Sequence, residues 1–108
     1  MTALPTGTVT FLFTDIEGST TLLQQLGDRY ADVLTDYRHL LRAAIREIAG
    51  KEMDTQGDSL FATFPRARDA LTAAISVQHG ILHHPWPDGV SIRARIGLHT
   101  GEALPADA

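Results

Sequence analysis

Cysteine is absent from all 108 residues, which excludes a disulfide framework and any thiolate zinc site and fits a reducing compartment. Runs of Lys or Arg are missing too, and the formal net charge is −4, so a nucleic-acid-binding basic face is not expected. No apolar run approaches the ~20 residues that a membrane-spanning helix needs. Residues 1–7, Met-Thr-Ala-Leu-Pro-Thr-Gly, lack the basic and apolar regions of a signal peptide. These absences point to a cytoplasmic protein with no nucleic-acid partner and no membrane partner. Repeats, low-complexity stretches and internal linkers are also lacking, so residues 1–108 read as one domain.

What is there is ordinary globular material, 44% apolar and 20% charged, in a chain long enough to bury a core. Thr8 to Thr14 alternates, with Val9, Phe11 and Phe13 on one face and Leu12 adding burial on the other, as in a central strand. Gly18-Ser19-Thr20 breaks that strand and offers N-caps. Leu22, Leu26, Tyr30, Val33, Tyr37, Leu41, Ala44 and Ile48 then fall in steps of three and four along one helical face. Gly27-Asp28 should split this region into a short and a long helix, and Gly50 should close it as C-cap.

Residues 51–55 and 58–64 read as two strands joined at Gln56-Gly57, the second ended by Pro65. Ala67, Ala70, Leu71, Ala74, Ile75, Gln78 and Leu82 predict a further amphipathic helix that stops near His84-Pro85. After Trp86-Pro-Asp-Gly, the alternation of Val90, Ile92, Ala94, Ile96 and Leu98 predicts a last strand, with Arg93 and Arg95 on its polar face toward solvent or a partner. Residues 101–108 are expected to add no further strand. The order is βααββαβ, an α+β, ferredoxin-like (split βαβ) antiparallel sheet with helices on one face. The free edge of a four-stranded sheet is a liability, so a fragment, or a protein that needs a partner over that edge, is expected.

The informative residues are acidic. Asp15 in Phe11-Leu-Phe-Thr-Asp-Ile-Glu-Gly-Ser-Thr20 and Asp58 in Thr55-Gln-Gly-Asp-Ser-Leu-Phe-Ala-Thr-Phe64 each lie where a turn meets an apolar strand. Singly, either reads as a turn-capping Asp. In the ferredoxin-like layout the first and third strands are antiparallel neighbours, which brings both carboxylates to one end of the sheet. Beside Glu17, Gly18, Ser19 and Thr20, whose backbone N–H groups suit a phosphate, they make a candidate Mg²⁺- or Mn²⁺-nucleotide site. His79 and His83 have metal-capable i, i+4 spacing but no third ligand nearby, and they read as exposed polar residues near a helix end. His99 reads as structural.

The Phe-Thr-Asp-Ile-Glu-Gly-Ser-Thr segment, the Gly-Asp-Ser-Leu-Phe-Ala-Thr-Phe segment and the closing Arg95-Ile-Gly-Leu-His-Thr-Gly101 together resemble the class III nucleotidyl cyclases, in that family's order. The resemblance implies that Asp15, Asp58 and the backbone carbonyl of Ile16 hold Mg²⁺ or Mn²⁺. It also implies that Glu17 to Thr20 form the triphosphate loop and that two chains pair head to tail as a homodimer. The implied reaction converts ATP or GTP to the cyclic nucleotide and pyrophosphate by a two-metal mechanism in signal transduction.

Two departures qualify the implied activity. The family's base-reading Lys is Asp54 here, and a carboxylate accepts hydrogen bonds where an ammonium donates them; Lys51 is a weak substitute. The family's transition-state Asn and Arg lie beyond the Ile-Gly-Leu-His-Thr-Gly strand, so the chain reads as a cyclase homology domain truncated after its fourth strand, inactive alone, with no catalytic residue to assign. The alternative is a non-catalytic pseudo-cyclase module for dimerisation or nucleotide sensing. A diguanylate cyclase or polymerase palm shares the Asp layout but expects an acidic hairpin where Gln56-Gly57-Asp58 stands.

Overall fold

A computed structural model describes residues 7–103, and the elements are those of the ferredoxin-like plan. Strand β1 (Gly7–Ile16) leads through Gly18 into α1 (Ser19–Leu26), a single 3-10 turn (Gly27–Arg29) and α2 (Tyr30–Glu47). The hairpin β2 (Lys51–Gln56) and β3 (Ser59–Phe64) follows, then α3 (Ala67–His83), a 3-10 turn (Pro87–Gly89) and β4 (Ala94–Ala103). The sheet order is β2-β3-β1-β4, antiparallel at every pairing, so β1 is central as expected and β4 is an edge.

Alternation along β1 separates two environments. Leu12 and Ile16 face the helices and are fully buried with Val33, Tyr37, Leu41, Ile45, Phe64 and Val77. Phe11 and Phe13 face the open side of the sheet, where Phe13 remains 49% exposed. Both faces of β1 are apolar, but only one is covered by this chain. On the open face Phe13 stacks on Phe61 at 4.7 Å, and His99 lies 6.2 Å from Phe11. His99 is therefore an exposed member of an aromatic platform rather than a structural residue behind a buried strand.

The expected break at Gly27-Asp28 is present, and most of the 22–48 stripe is buried. Its end differs from expectation. The left-handed residue is Ala49 (φ 57°), not Gly50. Gly50 N–H donates to the Ile45 carbonyl at 2.8 Å and Ala49 N–H to that of Arg46 at 3.2 Å, a Schellman closure with alanine in the usual glycine place. Gly50 is needed for space, since a Cβ there would meet the Phe64 ring at 2.4 Å.

The β2–β3 loop is Gly57-Asp58, one residue later than expected, with Gly57 at φ 57°. The ladder slips between Glu52 and Asp54, leaving Met53 as a bulge. Simple alternation would put Glu52 and Asp54 on one face. The bulge instead aligns Glu52 with Ala62, toward Arg42 of α2, and Asp54 with Phe61, on the open face.

Two further expectations are corrected. The buried face of α3 is Ala70, Ala73, Val77 and Ile81, while Leu71, Ile75 and Leu82 are 53%, 61% and 78% exposed. With Leu98 they border an apolar groove of about 500 Å³ between α3 and the β4 edge. The last strand also starts later and runs further than residues 90–98, because β4 pairs with β1 as far as Ala103. Residues 104–108 of the expected tail lie outside the described part.

Candidate metal-nucleotide site

Antiparallel pairing of β1 with β3 sets Thr14 opposite Leu60, so the end of β1 meets the start of β3. There Asp58, at the second position of the tight turn, accepts a hydrogen bond from the backbone N–H of Ile16 through Oδ2 at 2.8 Å. The two aspartate segments, which are 42 residues apart in sequence, are thereby joined in space. Arg38 of α2 supports the turn from behind by donating through Nη2 to the Gly57 carbonyl. The buried Nε of Arg38 has no hydrogen-bond partner among the described residues.

Asp15 is held from the other side of β1. Arg95 is its direct cross-strand partner on β4, and the guanidinium clasps the carboxylate with Nε to Oδ1 at 2.7 Å and Nη2 to Oδ2 at 3.0 Å. Hydrogen bonding to Asp15 raises the pKa of Arg95, and the charges of Asp15, Glu17 and Asp58 add to the effect. Three carboxylates therefore act on one guanidinium. Reading β4 as a strand with a polar face could not show this, because the register with β1 was unknown.

Behind the site the helices supply a layer of hydroxyls. Tyr37, fully buried, donates to Thr14 Oγ1 at 3.2 Å. Burial pushes the Tyr37 phenol up to about 12, opposed by the Thr14 hydrogen bond and reinforced by the charges of Asp58 and Asp15. Tyr30 is raised as well, chiefly by burial and then by the charge of Asp58, with a hydrogen bond to Ser19 opposing. Both phenols thus stay neutral beside the acidic end of the sheet.

The expected phosphate loop lies at the start of α1. Gly18 takes a left-handed conformation (φ 68°) and its carbonyl accepts from Leu22 N–H at 3.0 Å. The N–H of Glu17 is engaged by the Arg93 carbonyl at 2.8 Å, so it is not free for a phosphate. The donors at this helix start are those of Gly18, Ser19 and Thr20, among the N–H groups that a first turn leaves without intrahelical partners.

Asp54 opens onto the same face. With Phe13, Asp15, Gln56, Phe61 and Arg95 it lines a hollow of about 480 Å³. One Asp54 oxygen accepts from the N–H of Thr55 at 2.9 Å, and the other lies 3.4 Å from Gln56 Nε2. Lys51 is exposed at the far end of β2 and does not line this hollow. His79 and His83 are exposed on α3, with their rings 4.3 Å apart and tilted by 39° and the His83 ring nitrogen Nδ1 2.9 Å from the His79 carbonyl.

No group of three or more His, Cys, Asp or Glu side chains suited to a metal ion occurs among the described residues. Asp15 and Asp58 offer two hard oxygen donors, and the family resemblance implies the Ile16 carbonyl as a third. Such a set fits Mg²⁺ or Mn²⁺, which typically take one or two carboxylates and complete their shell with water and phosphate oxygens. It suits neither Zn²⁺ nor a soft metal.

Comparison with known proteins identifies the family and the fold. The sequence profile described as "Adenylate and Guanylate cyclase catalytic domain" matches residues 1–106. An uncharacterized protein of Mycobacterium tuberculosis is 40% identical over 100 residues, which cover 91% of this chain and 33% of that protein. An adenylate cyclase of Podospora anserina is 31% identical over 121 residues, covering 93% of this chain and 6% of that one. Among solved structures, an adenylate cyclase of Trypanosoma brucei in its monomeric state superposes with a TM-score of 0.84 at 26% identity, covering 94% of this chain and 59% of that one. The guanylate cyclase domain of a Catenaria anguillulae protein in complex with GTP has the same fold, with a TM-score of 0.80 at 21% identity over 92% of this chain and 59% of that one. The chain spans a third or less of the length of these sequence relatives and about six-tenths of the solved domains.

Proposed function

Because this chain belongs to the family of adenylate and guanylate cyclase catalytic domains, we propose that it carries the metal- and phosphate-binding half of a class III cyclase site for ATP or GTP. Asp15, Asp58 and the carbonyl of Ile16 hold Mg²⁺ or Mn²⁺ in this reading, and the N–H groups of Gly18, Ser19 and Thr20 receive the triphosphate. The observation that carries it is the Asp58–Ile16 hydrogen bond, which brings the two aspartate segments to one end of the sheet. When bound, the cation neutralises triphosphate charge and lowers the pKa of an attacking hydroxyl.

The protein's own groups do the rest. In this reading the pairing of β1 with β3 brings both carboxylates to one ligand, and Tyr30 and Tyr37, each with its pKa raised chiefly by burial, add no negative charge behind it. The open aromatic face of Phe11, Phe13 and Phe61 is the surface on which a second copy closes the site as a homodimer. Formation of cyclic nucleotide and pyrophosphate further requires groups that stabilise the charge developing on the transferred phosphoryl group. Asp54 favours a second reading, a pseudo-cyclase module that senses nucleotide or dimerises, because a carboxylate replaces the donor expected at the base.

Thermal melts with Mn²⁺ and ATP or GTP test the site. Wild type should be stabilised, and Asp15→Ala and Asp58→Ala should each lose the shift. Unchanged shifts in both variants would remove the metal assignment. No shift in any protein would favour the module without nucleotide.

A further inference from the structure

We propose that Arg95 is a built-in competitor for the divalent cation, a resident charge that occupies Asp15 and must leave before a metal ion can take that carboxylate. The inference rests on the metal reading of Asp15 and Asp58 and adds the regulation of that site.

Four observations carry it. First, the contact is a two-point fork that engages both Asp15 oxygens, at 2.7 and 3.0 Å, the strongest geometry available to an Arg–carboxylate pair. Second, Asp15 and Arg95 are in cross-strand register, so the ladder presents the guanidinium to the carboxylate without any loop having to close. Third, Arg95 lines the same hollow as Asp15 and Asp54, which places its charge where a divalent cation would enter. Fourth, the Arg95 side chain is 66% exposed while that of Asp15 is 35% exposed, so the guanidinium can swing into solvent with no core contact to break.

A guanidinium and a divalent cation on one carboxylate repel each other, and the guanidinium already engages both Asp15 oxygens. Occupancy is therefore an exchange of one cation for another. Arg95 holds the acidic end of the sheet together while it sits there, and it weakens binding of free metal by the strength of the pair it forms. An exposed pair of this kind sets a modest barrier, so its removal should tighten metal binding by about two- to five-fold.

The experiment is a Mn²⁺ titration followed by electron paramagnetic resonance of free Mn²⁺, on wild type, Arg95→Gln, Arg95→Lys, Asp15→Asn and the Arg95→Gln/Asp15→Asn double variant. Arg95→Gln should bind Mn²⁺ more tightly than wild type. Arg95→Lys, which keeps the charge but loses the fork, should fall between them. The double variant should bind no better than Asp15→Asn, because the gain exists only through Asp15. A merely structural Arg95 would give the opposite sign, with weaker binding in both Arg95 variants. If wild type binds Mn²⁺ through Asp15 and Arg95→Gln binds equally or less well, the competition is refuted and the metal site stands. If no protein binds Mn²⁺ at millimolar concentration, the site reading and this inference fail together.

Discussion

Exchanging the residue types at positions 49 and 50 should move stability in opposite directions. Ala49 closes α2 at φ 57°, where an L-residue with a Cβ is strained by about 1–2 kcal/mol. Ala49→Gly removes that strain but gives the unfolded chain more freedom, which costs about 0.4–1 kcal/mol. The net expectation is a gain of about 0.5–1 kcal/mol. Gly50 has no such dihedral requirement. Its constraint is steric, with an added Cβ falling 2.4 and 2.7 Å from two atoms of the Phe64 ring and 2.9 Å from Ile45 Cγ2. Phe64 is fully buried, at 0% accessibility, so the ring cannot rotate away cheaply. Gly50→Ala should therefore lose about 1–3 kcal/mol, the usual cost of overpacking.

Urea denaturation reads both changes, and constant m-values would show that neither alters the surface exposed on unfolding. In a domain of this size each kcal/mol corresponds to about 4–8 °C in Tm. The two variants should therefore separate on opposite sides of wild type in a thermal melt. A destabilised Ala49→Gly together with a neutral Gly50→Ala would refute the reasoning, since neither the left-handed strain at position 49 nor the close approach at position 50 would then be felt.

Ile81→Ala should cost about 2–5 kcal/mol as a core truncation, whereas Leu82→Ala, at a position 78% exposed, should stay within about 0.5 kcal/mol; similar costs in the two urea curves would mean that α3 is wrongly phased. Alkaline pH should destabilise the fold through Tyr37: burial pushes its phenol up from the ordinary 10.0 to about 12, so its contribution is whole below pH 10.0 and lost as pH rises toward 12. Tyr37→Phe should flatten that window at the expense of about 1 kcal/mol at neutral pH for the lost Thr14 hydrogen bond, and an unchanged alkaline limb would show that the phenol does not govern it. Glu52, whose pKa is lowered chiefly by the hydrogen bond from Arg42, contributes above its unfolded pKa and loses that contribution as pH falls through the folded value. The acid limb of Glu52→Gln should be shallower than that of wild type, and coincident limbs would show that the pair contributes nothing.

Element type and order were legible because they rest on local signals. Glycine and hydroxyl residues at 18–20, the stripe from Leu22 to Ile48 and the break at Gly27-Asp28 each report on a few neighbours along one helix. The meeting of the Asp58 turn with the end of β1 was legible for a different reason. The split βαβ order makes the first and third strands neighbours, and apolar patterning at Phe11–Thr14 and Leu60–Phe64 limits their register. The buried face of α3 was not legible, because Leu71, Ile75 and Leu82 are as apolar as Val77 and Ile81. Which set meets the sheet depends on helix rotation in the finished packing, and periodicity alone cannot choose between two adjacent apolar stripes.

By itself, the sequence determined that this is a cysteine-free α+β domain whose two acidic turns face a glycine-broken helix start, since local backbone preference and alternation depend only on neighbouring residues. Tertiary structure decided which side chains those turns meet. The bulge at Met53 sends Glu52 to Arg42 and Asp54 to the aromatic face, and the β1–β4 register delivers Arg95 onto Asp15. Both follow from hydrogen-bond ladders between strands far apart in the chain. A one-residue change in either register would reverse every side chain it carries.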